Sequence, residues 1–234
     1  MFEAIELTKS YKRHAVLDHV SFSVAPGKCL GVAGHNGSGK STLLSVAAQM
    51  IKPDHGSLLY NGKNILHDRA FLRKNLGYVP QHNSLLDDLT VKETLLFFAK
   101  IHGVDQNALL SVNGAAEAMG LTPLLKKRVR TLSGGMQKRL SIVLALMHTP
   151  RILLLDEILS SLDRKYRHAF RSYMESYLKN GGSIVYCSHE AEELRTFCDR
   201  MLVLRSGKTI FYGDTSEFPS DPRQLDEMLS PLPA

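Results

Sequence analysis

The strongest constraint on the fold is a glycine-rich segment between a strand-like run and a helical one. Residues 34–41 read GHNGSGKS and fit the pattern G-x-x-x-x-G-K-[ST]. The apolar run Cys29–Ala33 before them predicts a strand, and Thr42–Gln49 after them predict a helix. Glycines let such a loop fold around a phosphate group, and the following helix N-terminus adds positive potential. The segment therefore predicts a phosphate-binding loop in an α/β protein.

Within this loop the residue types predict separate contacts with a nucleoside triphosphate. We expect Lys40 to reach the β- and γ-phosphates and Ser41 to bind Mg²⁺. The loop residues expected to bind ATP are Gly34, His35, Asn36, Gly37, Ser38, Gly39, Lys40, Ser41 and Thr42. The alternative is a glycine-rich turn with an exposed lysine, which the flanking strand and helix disfavour.

Two adjacent carboxylates follow a second apolar run. Residues 152–155 are all apolar and lead into Asp156-Glu157, as expected of a buried strand that delivers acidic side chains to the ligand-binding edge of an open α/β sheet. We expect Asp156 to hold Mg²⁺, directly or through water, and Glu157 to polarise the attacking water. An apolar run ending in Asp-Glu is common by itself, so the prediction depends on the phosphate-binding loop.

A third segment, residues 132–137 with the sequence LSGGMQ, predicts another helix start. Ser133 fits an N-cap, and the unpaired N–H groups behind it favour an anion. Alone the segment also fits an ordinary capped helix. Two phosphate-binding helix starts are more than one nucleotide site needs, and one resolution is a second subunit, each chain offering its Ser133 loop to the ATP of the other.

The order of these segments resembles the ATPase subunits of the ABC family over residues 2–217. The matching segments are the phosphate-binding loop, Gln81 after residues 77–80, residues 132–137, Asp156-Glu157, residues 160–163 (SSLD) and Ser188-His189. The resemblance implies that Tyr11 stacks on adenine, that Gln81 senses Mg²⁺ and the attacking water, and that His189 hydrogen-bonds the γ-phosphate. Taken alone, Tyr11 also fits a strand-edge aromatic, and Gln81 and His189 fit surface polar residues.

The same resemblance implies roles for two further groups and for the whole site. The loop facing the partner's ATP would comprise Ser133, Gly134, Gly135 and Gln137, with Ser133 and Gly135 on the γ-phosphate, and Asp163 would lie in the loop that crosses the dimer. The expected catalytic set is Glu157, His189, Gln81 and Lys40. The expected Mg²⁺ ligands are Ser41, Gln81 and Asp156.

The pattern of strands and helices predicts an α/β fold with a mostly parallel sheet. The resemblance makes this a P-loop NTPase core with an N-terminal antiparallel β subdomain and an inserted helical subdomain. We expect one ABC ATPase domain over 1–234: residues 1–82 and 150–217 form the core, about 83–149 the helical subdomain, and 218–234 a short tail. Helical spacing predicts the insertion, with Leu95, Phe98 and Ile101 in one stretch and Leu109, Val112 and Ala116 in the next.

One departure from the family concerns the turn after Asp156-Glu157. Family members commonly have Pro followed by Thr or Ala there, whereas this chain has Ile158 and Leu159, so the turn lacks a fixed φ. The family pattern therefore does not define the geometry of the loop that crosses the dimer. Since all the catalytic side chains are present, we expect an active Mg²⁺-dependent ATPase.

Residues 81–103 resemble exporter ATPases of the drug, lipid and polysaccharide type. The resemblance places a coupling helix of a separate membrane-spanning subunit against this region, where Leu85, Leu86, Phe97 and Phe98 are candidates for a receiving groove, or equally for the core of the helical subdomain. The second ATPase subunit would be a copy of this chain or a related one. There are two alternatives. One is the ATPase of a vitamin or metal importer, which the sequence of residues 34–39 also resembles, and the other is a soluble ABC ATPase without a role in transport.

Bulk composition narrows the setting. The chain has 234 residues and three cysteines without C-x-x-C spacing, which indicates reduced thiols, with Cys29 and Cys187 expected to be buried. Its net charge of +6 suits an anionic partner, but the basic run 126–130 has no interleaved aromatics, so we expect no nucleic acid. With neither a signal-like N-terminus nor an apolar run long enough to span a bilayer, we expect a cytoplasmic protein, peripheral on the inner face of the membrane.

Overall fold

The computed structural model describes residues 1–105, 115–219 and Met228. The N-terminal part of the chain forms a four-stranded antiparallel sheet. The strand order is β2-β1-β4-β5, and every neighbouring pair in it is antiparallel. The four strands are β1 (Phe2–Tyr11), β2 (His14–Val24), β4 (His55–Tyr60) and β5 (Lys63–Asn64). The short β4–β5 hairpin turns at Asn61-Gly62, where the sequence predicts a turn.

The second sheet has six strands in the order β10-β9-β3-β8-β7-β6, and only the pair β9–β10 is antiparallel. Its strands are β3 (Cys29–Ala33), β6 (Leu76–Val79), β7 (Ile152–Asp156), β8 (Ser183–Cys187), β9 (Arg200–Arg205) and β10 (Lys208–Asp214). Because the strands pair out of sequence order, segments far apart in the chain end side by side at one edge of this sheet.

Continuous apolar strands form the centre of this sheet because both of its faces are covered. In β7, Ile152 and Leu154 pack into a core shared with the antiparallel sheet and the first helix. Their neighbours Leu153 and Leu155 pack into a second core on the opposite face. All four side chains are fully buried, as expected for a parallel strand between two layers.

Seven α-helices lie in the described residues, and none of them is long and apolar enough to cross a membrane. Their starts follow from local sequence: Asp68, Thr90 and Ser133 each accept a backbone N–H at the N-cap of the second, third and fifth helix. The helices are α1 (Lys40–Ala47), α2 (Arg69–Asn75), α3 (Val91–His102), α4 (Ala115–Ala118), α5 (Gly134–Leu146), α6 (Arg164–Lys179) and α7 (Ala191–Arg195).

The fold confirms the expected α/β class with its antiparallel and mostly parallel sheets. The strand expected at Cys29–Ala33 has those bounds. The apolar run of residues 183–187 predicts a further strand, which the structure has with those bounds, and the pattern of residues 190–197 predicts a helix, of which α7 is a shorter version. Helix α2 was not expected from the apolar pattern, since none of its residues is fully buried. Leu109 and Val112 lie outside the described residues. The three cysteines are free and buried, as expected for Cys29 and Cys187.

Candidate nucleotide-binding site

Four segments with polar side chains directly follow the carboxyl ends of four parallel strands. The loop 34–39 follows β3, His189 follows β8, Glu157 follows β7 and Gln81 follows β6. In the sheet these strands stand in the order β3-β8-β7-β6, so Glu157 emerges between His189 and Gln81. Carboxyl ends of parallel strands are where open α/β sheets bind ligands.

The loop between β3 and α1 holds its lysine side chain close to its own backbone. Lys40 Nζ donates to the carbonyl of Gly34 at 2.7 Å and to that of His35 at 3.1 Å. An ammonium group has three donors, so one is left for a ligand. This charge is therefore fixed at the floor of the loop.

Two glycines make the loop's path possible. Gly39, the N-cap of α1, has a φ of +110°, and a Cβ there would stand 2.6 Å from the carbonyl oxygen of Val16. Gly34 has a φ of +152°, and a Cβ there would stand 2.4 Å from the carbonyl oxygen of Leu204. Because both neighbours are backbone atoms that cannot swing aside, any larger residue would distort the loop.

Glu157 is held from both sides by the residues that follow the neighbouring strands. Gln81 Nε2 donates to Glu157 Oε2 at 2.8 Å, and His189 Nδ1 lies 3.3 Å from Glu157 Oε1. The Glu157 side chain is 12% exposed, and its backbone has a left-handed φ of +49°. Strained backbone of this kind in a non-glycine residue persists where the surroundings enforce it and is concentrated at functional sites.

Asp156 lies beside the loop and has an unused acceptor. The residue is 1% exposed, and its Oδ1 atom is buried without a hydrogen-bond partner. Burial raises the pKa of the Asp156 carboxyl, and a hydrogen bond with Ser41 opposes that rise. A buried carboxylate oxygen without a partner is costly unless something else coordinates it.

The loop, Gln81, Glu157 and His189 line one cleft of about 320 Å³, and the buried Asp156 is not part of its lining. Its lining comprises Val16, Asn36, Gly37, Gly39, Lys40, Ser41, Thr42, Gln81, Glu157 and His189. Val16 was not anticipated, because an apolar strand residue carries no signal of binding.

Tyr11 is 46% exposed and does not line the cleft, although Lys9 Nζ lies 5.7 Å from its ring centroid. A larger cavity of about 680 Å³, between Lys28 and Asp199 at the amino end of β3, contains none of these groups.

The start of α5 lies outside this cleft. Ser133 is the N-cap of α5, where its Oγ accepts the Met136 N–H at 3.3 Å, and it is exposed, as are Gly134 and Asp163 at the start of α6. Gln137 is turned inward, with Nε2 3.3 Å from the carbonyl oxygen of Val129. The chain's own cleft is therefore lined without any residue of this segment.

The turn after Glu157 is fixed by apolar packing. Ile158 is fully buried and Leu159 is 4% exposed, and both belong to the core that contains α5 and α6. Residues Leu159–Ser161 form one 3₁₀ turn, and Ser160 Oγ donates to the Glu157 carbonyl at 3.2 Å. The φ of Ile158 is −77°, within the range that a proline would impose. Burial of these side chains therefore takes the place of the proline ring.

The four candidate groove residues divide into two pairs. Leu86 and Phe97 are 42% and 48% exposed, among the most exposed large apolar side chains of the described residues. Leu85 and Phe98 are partly buried against the larger core, and the rings of Phe97 and Phe98 meet edge to face at 5.5 Å. Leu86 and Phe97 are thus the members available to a partner.

Sequence comparison finds one family whose model matches this chain. The model described as ABC transporter matches residues 17–160, which include the loop, Gln81, the start of α5 and Glu157. Nod factor export ATP-binding protein I of Rhizobium etli is 32% identical over 97% of this chain and 76% of its own length. Linearmycin resistance ATP-binding protein LnrL of Bacillus subtilis is 32% identical over 93% of this chain and 70% of its own length.

Solved structures show the same architecture. An ATP binding subunit of an ABC transporter has a TM-score of 0.86 and 25% identity and covers 97% of both chains. A dimeric, post-hydrolysis ATP-binding cassette bound to ADP and Pi has a TM-score of 0.82 and 24% identity, with 93% of this chain and 100% of that chain covered. The second likeness bears on the fold alone.

Proposed function

The chain belongs to the ABC transporter family and is one of its ATP-binding, ATP-hydrolysing subunits, and we propose that it powers export through a separate membrane-spanning subunit. The observation that carries the ATPase part is the convergence of Lys40, Gln81, Glu157 and His189 on one cleft. The exporter part is supported by the names of the relatives, which describe export and antibiotic resistance in those proteins.

We propose that the phosphates of ATP bind along the loop 34–42. The first N–H groups of an α-helix have no partner within the helix. In α1 these groups belong to Lys40, Ser41 and Thr42, which line the cleft, so a phosphate bound there can accept hydrogen bonds from them. Lys40 adds a fixed positive charge whose remaining donor serves the β- and γ-phosphates. We also propose that Tyr11, which is exposed beside the cleft-lining strand β2, stacks on the adenine ring.

Glu157 is the proposed base that orients the attacking water. Its two carboxylate oxygens are steered by Gln81 and His189, so the side chain is restricted to one orientation before substrate arrives. Such preorganisation lowers the barrier because no reorientation is needed at the moment of reaction. We propose that His189 also donates a hydrogen bond to the γ-phosphate from this position.

The residues around Asp156 fit Mg²⁺. The unpartnered Asp156 Oδ1, the neighbouring Ser41 hydroxyl and the Gln81 amide supply the oxygen ligands that this ion prefers. When bound there, Mg²⁺ would neutralise negative charge on the phosphates. Asp156 would hold the ion, while Lys40 and the amino end of α1 hold the phosphates.

A second ATPase subunit is part of the proposal. Ser133 and Gly134 are exposed at the amino end of α5 and take no part in this chain's own cleft, which leaves Ser133 and Gly135 free to contact the γ-phosphate of a partner's ATP. Gln137 supports this loop from behind, and the exposed Asp163 lies in the segment proposed to cross the dimer. The partner is a second copy or a related cassette.

The membrane partner is proposed to dock on the exposed Leu86 and Phe97. Large apolar side chains at the surface favour an interface, and an amphipathic helix of the partner is the ligand that such a surface receives. This docking would hold the protein at the inner face of the membrane.

The test is Mg²⁺-dependent ATP hydrolysis by the wild type and by Glu157→Gln, with the membrane subunit present. The amide keeps the shape of the carboxylate but cannot act as a base, so we expect hydrolysis to fall by about a hundredfold or more while ATP is still bound. Glu175→Gln, an isosteric change on α6 outside the cleft, is the matched control. Equal hydrolysis by the wild type and Glu157→Gln would refute the proposal.

A further inference from the structure

Helix α5 carries a buried lysine that binds the backbone next to Gln81. Lys138 is 1% exposed, and its Nζ donates to the carbonyl oxygens of Pro80 and Gln81, each at 2.7 Å. Burying an ammonium group is unfavourable unless hydrogen bonds replace its water, and an apolar side chain of similar size would avoid that penalty. The two hydrogen bonds therefore fix one short segment, and the same charge also favours the ionised form of the Asp156 carboxyl.

Asn83 joins the same segment to α5 at two other points. Its Oδ1 accepts from Ser141 Oγ at 3.2 Å, and its Nδ2 reaches the carbonyl oxygen of Gly134 at 3.5 Å. Residues 80–83 are thus attached to α5 at Gly134, Lys138 and Ser141, through the carbonyls of residues 80 and 81 and the side chain of Asn83. The Gln81 side chain remains exposed and extends from this fixed backbone to Glu157.

The two ends of this arrangement belong to different nucleotide sites under the proposed function. Ser133 caps α5 and is offered to the partner's ATP, whereas Lys138 stands five residues further along the same helix and holds Gln81 in the chain's own cleft. Five residues of α-helix span only about 7.5 Å, so a movement at the first is carried to the second with little loss.

We propose that Lys138 is a positioning residue that ties Gln81, and through it Glu157, to helix α5, so that α5 seated on a partner's nucleotide aligns this chain's own hydrolytic groups. The proposal rests on the proposed function for the roles of Ser133 and Glu157. It assigns to Lys138 an effect on turnover rather than on ATP binding, because its ammonium lies behind the backbone of residues 80–81 and does not line the cleft.

The adjacent residue supplies a matched control. Arg139 is also a buried cation, at 5% exposure, and its Nη1 donates to the Met119 carbonyl at 2.7 Å. Its guanidinium lies 3.8 Å from the ring centroid of Tyr166. These contacts are to residues away from the cleft, so Arg139→Met removes a buried charge from α5 without releasing residues 80–83.

The experiment measures ATP hydrolysis and amide hydrogen exchange in the subunit assembled with its membrane partner. For Lys138→Met, which keeps the apolar stem, we expect kcat to fall about ten- to a hundredfold with KM and ATP affinity changed less than about threefold. Exchange in peptides covering residues 79–85 should accelerate, with those covering 29–47 unchanged. Lys138→Arg, which retains donors, should recover part of the lost kcat.

In Arg139→Met we expect kcat per folded protein to equal that of the wild type. Amide hydrogen exchange in residues 79–85 should also stay as slow as in the wild type. Wild-type kcat in Lys138→Met, or an equal loss in Lys138→Met and Arg139→Met, would overturn the proposal. Lys138→Gln is tested in the same way if Lys138→Met does not fold. If no variant at 138 folds, the lysine is required by the fold itself and the proposal is wrong.

The outcome is separable from that of the proposed function. If Glu157→Gln abolishes hydrolysis and Lys138→Met leaves it intact, the ATPase assignment stands and only the role of Lys138 fails. If Glu157→Gln hydrolyses ATP normally, the assignment of the base fails whatever Lys138 does.

Discussion

Gln81 and Glu157, which are 76 residues apart in the chain, are joined by a hydrogen bond of 2.8 Å from Nε2 to Oε2. The bond exists because β6 and β7 are neighbours in the parallel sheet and both end at the cleft. It gives Glu157 one fixed neighbour in the segment that follows β6, while His189, which follows β8, supplies the other.

Replacing Gln81 should separate its two proposed roles, which are to bind Mg²⁺ and to position the Glu157 carboxylate. In Gln81→Ala the Glu157 carboxylate loses a donor, so we expect kcat to fall about tenfold, which corresponds to roughly 1.4 kcal/mol. In Gln81→Glu a second carboxylate faces Glu157, and like-charge repulsion should lower kcat further. Steady-state ATPase assays over a range of Mg²⁺ concentration measure both variants.

The Mg²⁺ dependence shows which role is lost. If Gln81 is also a ligand, the Mg²⁺ concentration for half-maximal rate rises in Gln81→Ala, and if it only holds Glu157 that concentration stays the same. Unchanged kcat in both variants would contradict a positioning role for this hydrogen bond.

Leu86→Asp should weaken association with the membrane subunit without destabilising the fold. Leu86 is 42% exposed, so an aspartate there stays hydrated in the free protein but must be dehydrated in an apolar interface. Co-purification from detergent-solubilised membranes measures the loss. Ile5→Asp, at a position 40% exposed on the antiparallel sheet, is the control and should co-purify normally. Normal recovery of Leu86→Asp would rule out this docking surface.

Ile158→Ala should lower the free energy of unfolding by about 2–5 kcal/mol, because it leaves a cavity in a fully buried position. Urea denaturation followed by circular dichroism gives the value. The same change at the exposed Ile5 should cost less than about 1 kcal/mol. Equal losses at the two positions would show that apolar packing does not fix the turn after Glu157.

His148 should make stability fall in mild acid. Burial lowers the pKa of His148 to about 4, and the charge of His102, whose ring stacks on it at 4.0 Å, adds to that effect. As pH falls, His148 therefore becomes protonated near pH 6.5 in the unfolded chain but only near pH 4 in the folded chain. Stability from this group is complete above pH 6.5 and is lost as pH falls toward 4.

The size of the effect is modest because His148 is only partly buried. Between pH 7 and pH 5 we expect a loss of about 1 kcal/mol from this group, discounted for solvent screening. Urea unfolding at both pH values, compared between the wild type and His148→Phe, isolates the contribution of His148 together with its interaction with His102. Equal pH dependence in the two proteins would contradict the assignment.

Much of this protein follows from local sequence. The glycines, lysine and serine of residues 34–41 predict a phosphate-binding loop because its backbone path and helix start are properties of a short segment. Ser133 predicts a helix N-cap for the same reason, and the structure has it. The apolar run before the acidic pair 156–157 likewise predicts a strand that ends at these carboxylates, and β7 ends at Asp156.

Other features were decided only by the tertiary structure. Strand order places Glu157 between His189 and Gln81, and no local pattern encodes which strands become neighbours. Lys138 has the sequence signature of an ordinary helical lysine, yet folding buries it against the carbonyls of Pro80 and Gln81. The sequence determined which chemical groups the site contains, because local backbone preferences and residue types are written in short segments. Long-range packing decided which of them meet, because the free energy of burying both faces of the sheet depends on the whole chain.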